Sequence, residues 1–144
     1  AGWASDRWIG AGHSPNTVYK GTMALNHVGG IVCMAGMVVL PPGAAIACLY
    51  VYQLVLGFAS PGTFAISQIC AGPAATARWV GVQNMCGNLA GIAAPAITGL
   101  IIGATGHFDR AFLLAALVNV LGIVGWVFVL PKIAPIRWST AGGR

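Results

Sequence analysis

Between Lys20 and Arg78 the chain carries no Lys, Arg, Asp or Glu. The same silence runs from Trp79 to His107 and from Ala111 to Pro131. Runs of this length and apolarity fit helices whose solvent is lipid, since about 20 apolar residues in helix cross a hydrocarbon core of about 30 Å. Breakers divide the runs. The pattern predicts an all-α membrane protein with four transmembrane helices, over about 22–40, 44–71, 77–104 and 110–130. The first stops at Pro41-Pro42-Gly43, the second at Gly72-Pro73 and the fourth at Pro131. Pro61 lies inside the second span and Pro95 inside the third, and each is expected to bend its helix by removing a backbone donor. Residues 1–21 are expected to form a loop and 131–144 a tail.

Polar positions inside the spans are few and fall in rows. Gln53, Gly57, Ser60, Phe64 and Gln68 recur at steps of three and four, so they share one helix face. In the third span Gln83, Asn84, Gly87, Asn88 and Gly91 do the same. Beside them Gly87, Gly91, Pro95, Gly99 and Gly103 place a small residue at every fourth position, a stripe that lets another helix approach closely. Asn26 and His27 lie near the start of the first span, where His27 reads as a wet interfacial residue. Asn119 is a lone amide in the fourth span, expected at a helix–helix contact.

Composition agrees with lipid. Charged residues are 6% of the chain against about 25% in soluble domains, and mean hydropathy is +0.83. The net charge of +5 comes from dispersed basic residues, which are topology signals rather than a nucleic-acid patch. Arg7, Lys20, Arg78, Lys132, Arg137 and Arg144 fall on one side of the four spans, with Arg110 alone opposite. Positive charge marks the cytoplasmic side, so both ends of the chain are expected there. Trp3, Trp8, Trp79 and Trp138 lie near the same boundary, where aromatic rings collect.

Enzyme chemistry finds no support. The only acids are Asp6 and Asp109, both outside the spans, and no nucleophile–base set is legible. Cys33, Cys48, Cys70 and Cys86 sit singly in apolar runs and read as small hydrophobes. No metal, cofactor or catalytic residue is expected.

Gly2-Trp3-Ala4-Ser5-Asp6-Arg7 resembles the G-x-x-x-D-R signature of major facilitator superfamily loops. The stretch from Arg78-Trp79-Val80-Gly81-Val82-Gln83-Asn84 through Gly87-Asn88 and Gly91 to Pro95, then Thr98-Gly99, is similar to helix eleven of the anion:cation symporter branch, which carries hexuronates, galactonate and related organic anions. The resemblance implies that the four spans are helices nine to twelve of a twelve-helix fold, and that this chain is a C-terminal fragment partnered by a missing N-terminal half. It implies a multi-pass protein of the plasma membrane, or of the inner membrane in a bacterium. It further implies alternating access, with proton coupling supplied by the missing part. Gln53, Ser60, Thr63, Gln68, Gln83, Asn84 and Asn88 become candidate contacts to a small organic anion, with Asn84 foremost. Gly2, Asp6 and Arg7 become the conformational motif, while Asn26, His27 and Asn119 lose weight. One departure is clear: the family's loop continues with several basic residues, whereas here only Lys20 follows Arg7 before the first span. Two rivals remain, another branch carrying drugs or sugars and a self-contained four-helix protein that oligomerises through the glycine stripe.

Overall fold

A computed structural model describes residues 2–138. Arg144 and the end of the expected tail lie outside the described residues, as does Ala1. Among the described residues every regular element is a helix: α1 over Gly2–Gly10, α2 over Pro15–Val39, α3 over Pro42–Thr105 and α4 over Asp109–Ile123. A π-helical stretch, Val124–Val129, continues α4. Three helical segments are long and apolar enough to cross a membrane: Pro15–Val39, Pro42–Thr105 and Asp109–Val129.

The expected opening loop is corrected. All of residues 2–10 are helix, because no breaker interrupts Trp3–Ile9. Gly12, at φ +96°, turns the chain out of α1. Ser14 then caps α2 by accepting from Thr17 N at 3.1 Å, and Pro15 takes the first helical position. A hydroxyl cap followed by Pro is a strong start signal, so α2 begins well before residue 22. It ends where Leu40 and Pro41 become extended ahead of Pro42.

Spans two and three are not separated by a loop. They form one 64-residue element interrupted only at Gly72, whose φ of 66° and ψ of 173° leave helical space. Pro73 follows at once, so the second arm begins before residue 77. Pro61 and Pro95 keep helical torsions, and the one departure from helical space falls at Gly72, where the sequence stops the second span. Only Gly tolerates that left-handed φ without strain, while Pro73 suits the first turn of the next helix.

α2 is the central element and packs on α3 and α4. Tyr19 and Met23 of α2 meet Ala59, Ile66 and Cys70 of the first arm, and Ile133 closes the cluster. Met23 is 2% exposed because Gly62 leaves room for its methyl, which lies 2.9 Å from where a Cβ would stand. On its other side α2 joins α4 through a polar contact, His27 Nδ1 to Asn119 Oδ1 at 3.0 Å. Asn119 also donates to Ala115 O. The expected helix–helix role of Asn119 holds, and His27 is half-buried against α4 rather than wet. Both ends of that contact rest on glycine: Gly30 faces the Asn119 amide and Gly122 faces the His27 ring.

Candidate functional site

The two arms of α3 carry the expected site, and they differ in how they hold it. On the first arm Gln53, Gly57, Ser60, Phe64 and Gln68 are all exposed, so the row read from the sequence is one open stripe. Thr63 leaves it. Its hydroxyl points to Met23 Sδ at 3.5 Å, in the packing against α2.

The second arm is open along nearly its whole length. Asn84 and Asn88 are exposed, and Asn88 donates back to the Asn84 carbonyl at 2.9 Å. The Asn84 side chain has no hydrogen-bond partner among the described residues, which leaves its two donors and its acceptor oxygen free. A Cβ built at Gly87, Gly91, Gly99 or Gly103 meets nothing within 4 Å. The stripe expected to pack a helix therefore packs none among the described residues.

Gln83 joins the arms. Its Oε1 accepts from the buried Ser67 hydroxyl, which also lies 3.1 Å from Thr63 O. A hydroxyl has one proton, so Ser67 serves one of these acceptors at a time. Ser67 escaped the sequence reading because it sits one position off the polar row. Beside this junction is a groove of about 700 Å³ lined by Ala74, Ala75, Arg78, Trp79, Val82, Gln83 and Trp138. Its size falls in the range of small-molecule sites, and its make-up of apolar walls with few polar groups is typical of them. Arg78 is the one cation on that wall among the described residues. From the sequence Arg78, Trp79 and Trp138 read as topology and interface signals, with Arg78-Trp79 also opening the helix-eleven resemblance; nothing in their spacing shows that residues 79 and 138 meet.

The conformational motif stays at the surface. Asp6 and Arg7 are exposed, and the Arg7 guanidinium stacks 5.5 Å from the centre of the Trp3 ring. Asp6 makes no ion pair among the described residues; Asp109 Oδ1 lies 3.9 Å from His107 Nδ1, near the Arg110 turn. No group of three His, Cys, Asp or Glu side chains is placed to hold a metal among the described residues.

No family model matches the chain, and no solved structure does. Two curated proteins do. The Uncharacterized transporter YybO of Bacillus subtilis (strain 168) is 28% identical over 137 residues, which is 94% of this chain and 32% of that protein. Probable anion transporter 4, chloroplastic, of Oryza sativa subsp. japonica is 29% identical over 126 residues, 87% of this chain and 21% of that protein. The chain thus spans a third or less of the length of the curated relatives it matches. Both are named as transporters, which are not enzymes, in agreement with the absence of a legible catalytic set. The chain's helices are long and apolar enough to cross a membrane, and the two proteins it resembles are both named as transporters.

Proposed function

We propose that this chain is the C-terminal part of a major facilitator carrier of the anion:cation symporter branch, moving a small organic anion by alternating access. The observation that carries this reading is the second arm of α3, a long apolar helix that exposes Asn84 and Asn88 and tethers Gln83 to the first arm. An amide in hydrocarbon without a partner is costly, so a helix that presents several on an open face needs a hydrated cavity or a further helix there. In the proposed carrier both are supplied: Asn84 faces the substrate path, and Gly87, Gly91 and Gly99 receive a helix of the missing half. Arg78 draws anions toward the groove beside Gln83. A relative named as an anion transporter supports the anion class.

In this reading the break at Gly72 divides α3 into two crossings, for four in all, and the one-sided basic residues put both ends in the cytoplasm of a plasma-membrane carrier. Coupling to protons falls to the missing half, since these spans hold no acid.

Uptake by the full-length carrier in proteoliposomes tests the reading. A panel of sugar acids and small carboxylates is expected to yield at least one transported anion, and Asn84→Ala to lower its uptake about tenfold or more with membrane insertion unchanged. Transport of neutral sugars alone would move the chain to another branch. Unchanged uptake and affinity in the variant would remove Asn84 from the path. A second reading has one observation in its favour: the open glycine stripe could equally receive a second copy of this chain. A detergent-solubilised oligomer that Gly91→Leu dissociates is its expected mark.

A further inference from the structure

The break in α3 leaves backbone groups without helical partners. Pro73 brings no N–H, and Gly72 leaves helical torsions, so the last carbonyls of the first arm lose their i+4 donors. Two of them are satisfied from far along the chain. Ile136 N donates to Cys70 O at 2.8 Å, and Trp138 Nε1 donates to Ala71 O at 2.8 Å. The Trp138 ring then meets Trp79 of the second arm edge-on, with centroids 6.1 Å apart. One side chain thus touches the arms on both sides of the break.

The segment that delivers these groups is pinned along its length. Lys20 Nζ donates to Leu130 O at 2.5 Å and to Val127 O at 3.3 Å, where the π-helical stretch ends. Ile133 N donates to Asn16 Oδ1 at 3.0 Å, and the Ile133 side chain is buried in the cluster of Tyr19, Met23, Ile66 and Cys70. Residues 131–138 have no regular structure of their own. Their order rests on hydrogen bonds to other elements and one apolar anchor.

From this we propose that residues 131–138 are a clasp that closes over the Gly72 break, and that opening the clasp exposes the hinge between the arms of α3. The clasp has a fixed end at Asn16, Lys20 and Ile133 and a releasable end at Ile136 and Trp138, both exposed residues whose hold on the hinge is two hydrogen bonds and one ring contact. Bonds of this kind are each weak enough to exchange with water. The device is independent of what the protein transports.

Native cysteines supply the test. Cys86 is exposed, Cys70 is 8% exposed beneath the clasp, and Cys33 is 5% exposed away from it. The full-length protein in lipid nanodiscs is treated with a maleimide and the modified cysteines are counted by mass spectrometry. Trp138→Ala is expected to speed Cys70 labelling about tenfold, with Cys86 unchanged and Cys33 still protected. Ile136→Pro, which removes the other donor, should act in the same direction. Trp138→Phe keeps a ring against Trp79 and should give a smaller rise. A Cys70 rate unmoved by both Trp138→Ala and Ile136→Pro overturns the clasp. So does a Cys33 rate that climbs in step with Cys70, which would mean general loosening rather than release of one strap.

Discussion

Glycines on α2, α4 and the first arm of α3 and glycines on the second arm of α3 look alike in the sequence and do opposite things in the fold. At Gly30 and Gly122 a neighbouring helix pushes a polar side chain into the gap, and at Gly62 a methionine methyl arrives. At Gly87, Gly91, Gly99 and Gly103 nothing arrives. Yet the second set has the regular four-residue spacing, and the first does not. A small residue only permits an approach; the side chain that fills the gap decides whether it becomes a contact. Here His27 and Asn119 fill it from both sides, so that α2 and α4 close on each other around one hydrogen bond.

The sharpest way to break this contrast is to add one methyl to each set. Gly122→Ala drives a Cβ into the His27 ring, and overpacking of this kind costs about 1–3 kcal/mol. Gly91→Ala meets open space, and removing a mid-helix Gly should leave stability level or raise it by roughly 0.5–1 kcal/mol. Thermal unfolding of the detergent-solubilised chain compares the two; equal losses would mean that the stripe is as tightly packed as α2 against α4.

Next in size is the hydrogen bond itself. Asn119→Leu and His27→Leu, taken singly and together, should show a coupling of about 0.6–1.7 kcal/mol, the range for polar pairs between membrane helices. Strict additivity would show that close packing at the glycines holds the pair without the bond.

The smallest effect concerns the end of the same helix pair. Lys20 carries the last carbonyls of the π-helical stretch. Lys20→Met keeps the stem and removes the charge, for a loss of about 0.3–1 kcal/mol. Faster hydrogen exchange over residues 127–133, with α3 unchanged, is the expected signature, and uniform exchange across the chain would contradict a local cap.

Much of the helical plan was legible because it depends on local chemistry. The stops at Pro41, Gly72-Pro73 and Pro131 stand where the sequence places them. The exposed row from Gln53 to Gln68 follows from helical spacing alone. One expectation fails. Residues 2–10 form a helix rather than a loop, since helix needs only the absence of a breaker over Trp3–Ile9. Pro61 and Pro95 keep helical torsions, as a proline can inside a membrane helix whose neighbours accommodate it. The backbone gave way at Gly72 because there a residue able to take positive φ stands next to one that cannot donate.

The site divides along the same line. Asn84 and Asn88 are exposed as their spacing requires, but Ser67, Arg78 and Trp138 come to the same junction from three parts of the chain. No period links residue 67 to 83 or 79 to 138. By itself the sequence determined which stretches are apolar enough for lipid, where most of them stop and which residues share a helix face, because those depend on side-chain transfer energies and on the 3.6-residue turn. Only the tertiary structure decided which glycines are filled, that α2 and not the glycine stripe is the packed centre, and that residues 131–138 return to cover Gly72. Those outcomes depend on unpaired carbonyls and empty gaps finding partners on other elements far along the chain, and such pairings leave no local trace in the sequence.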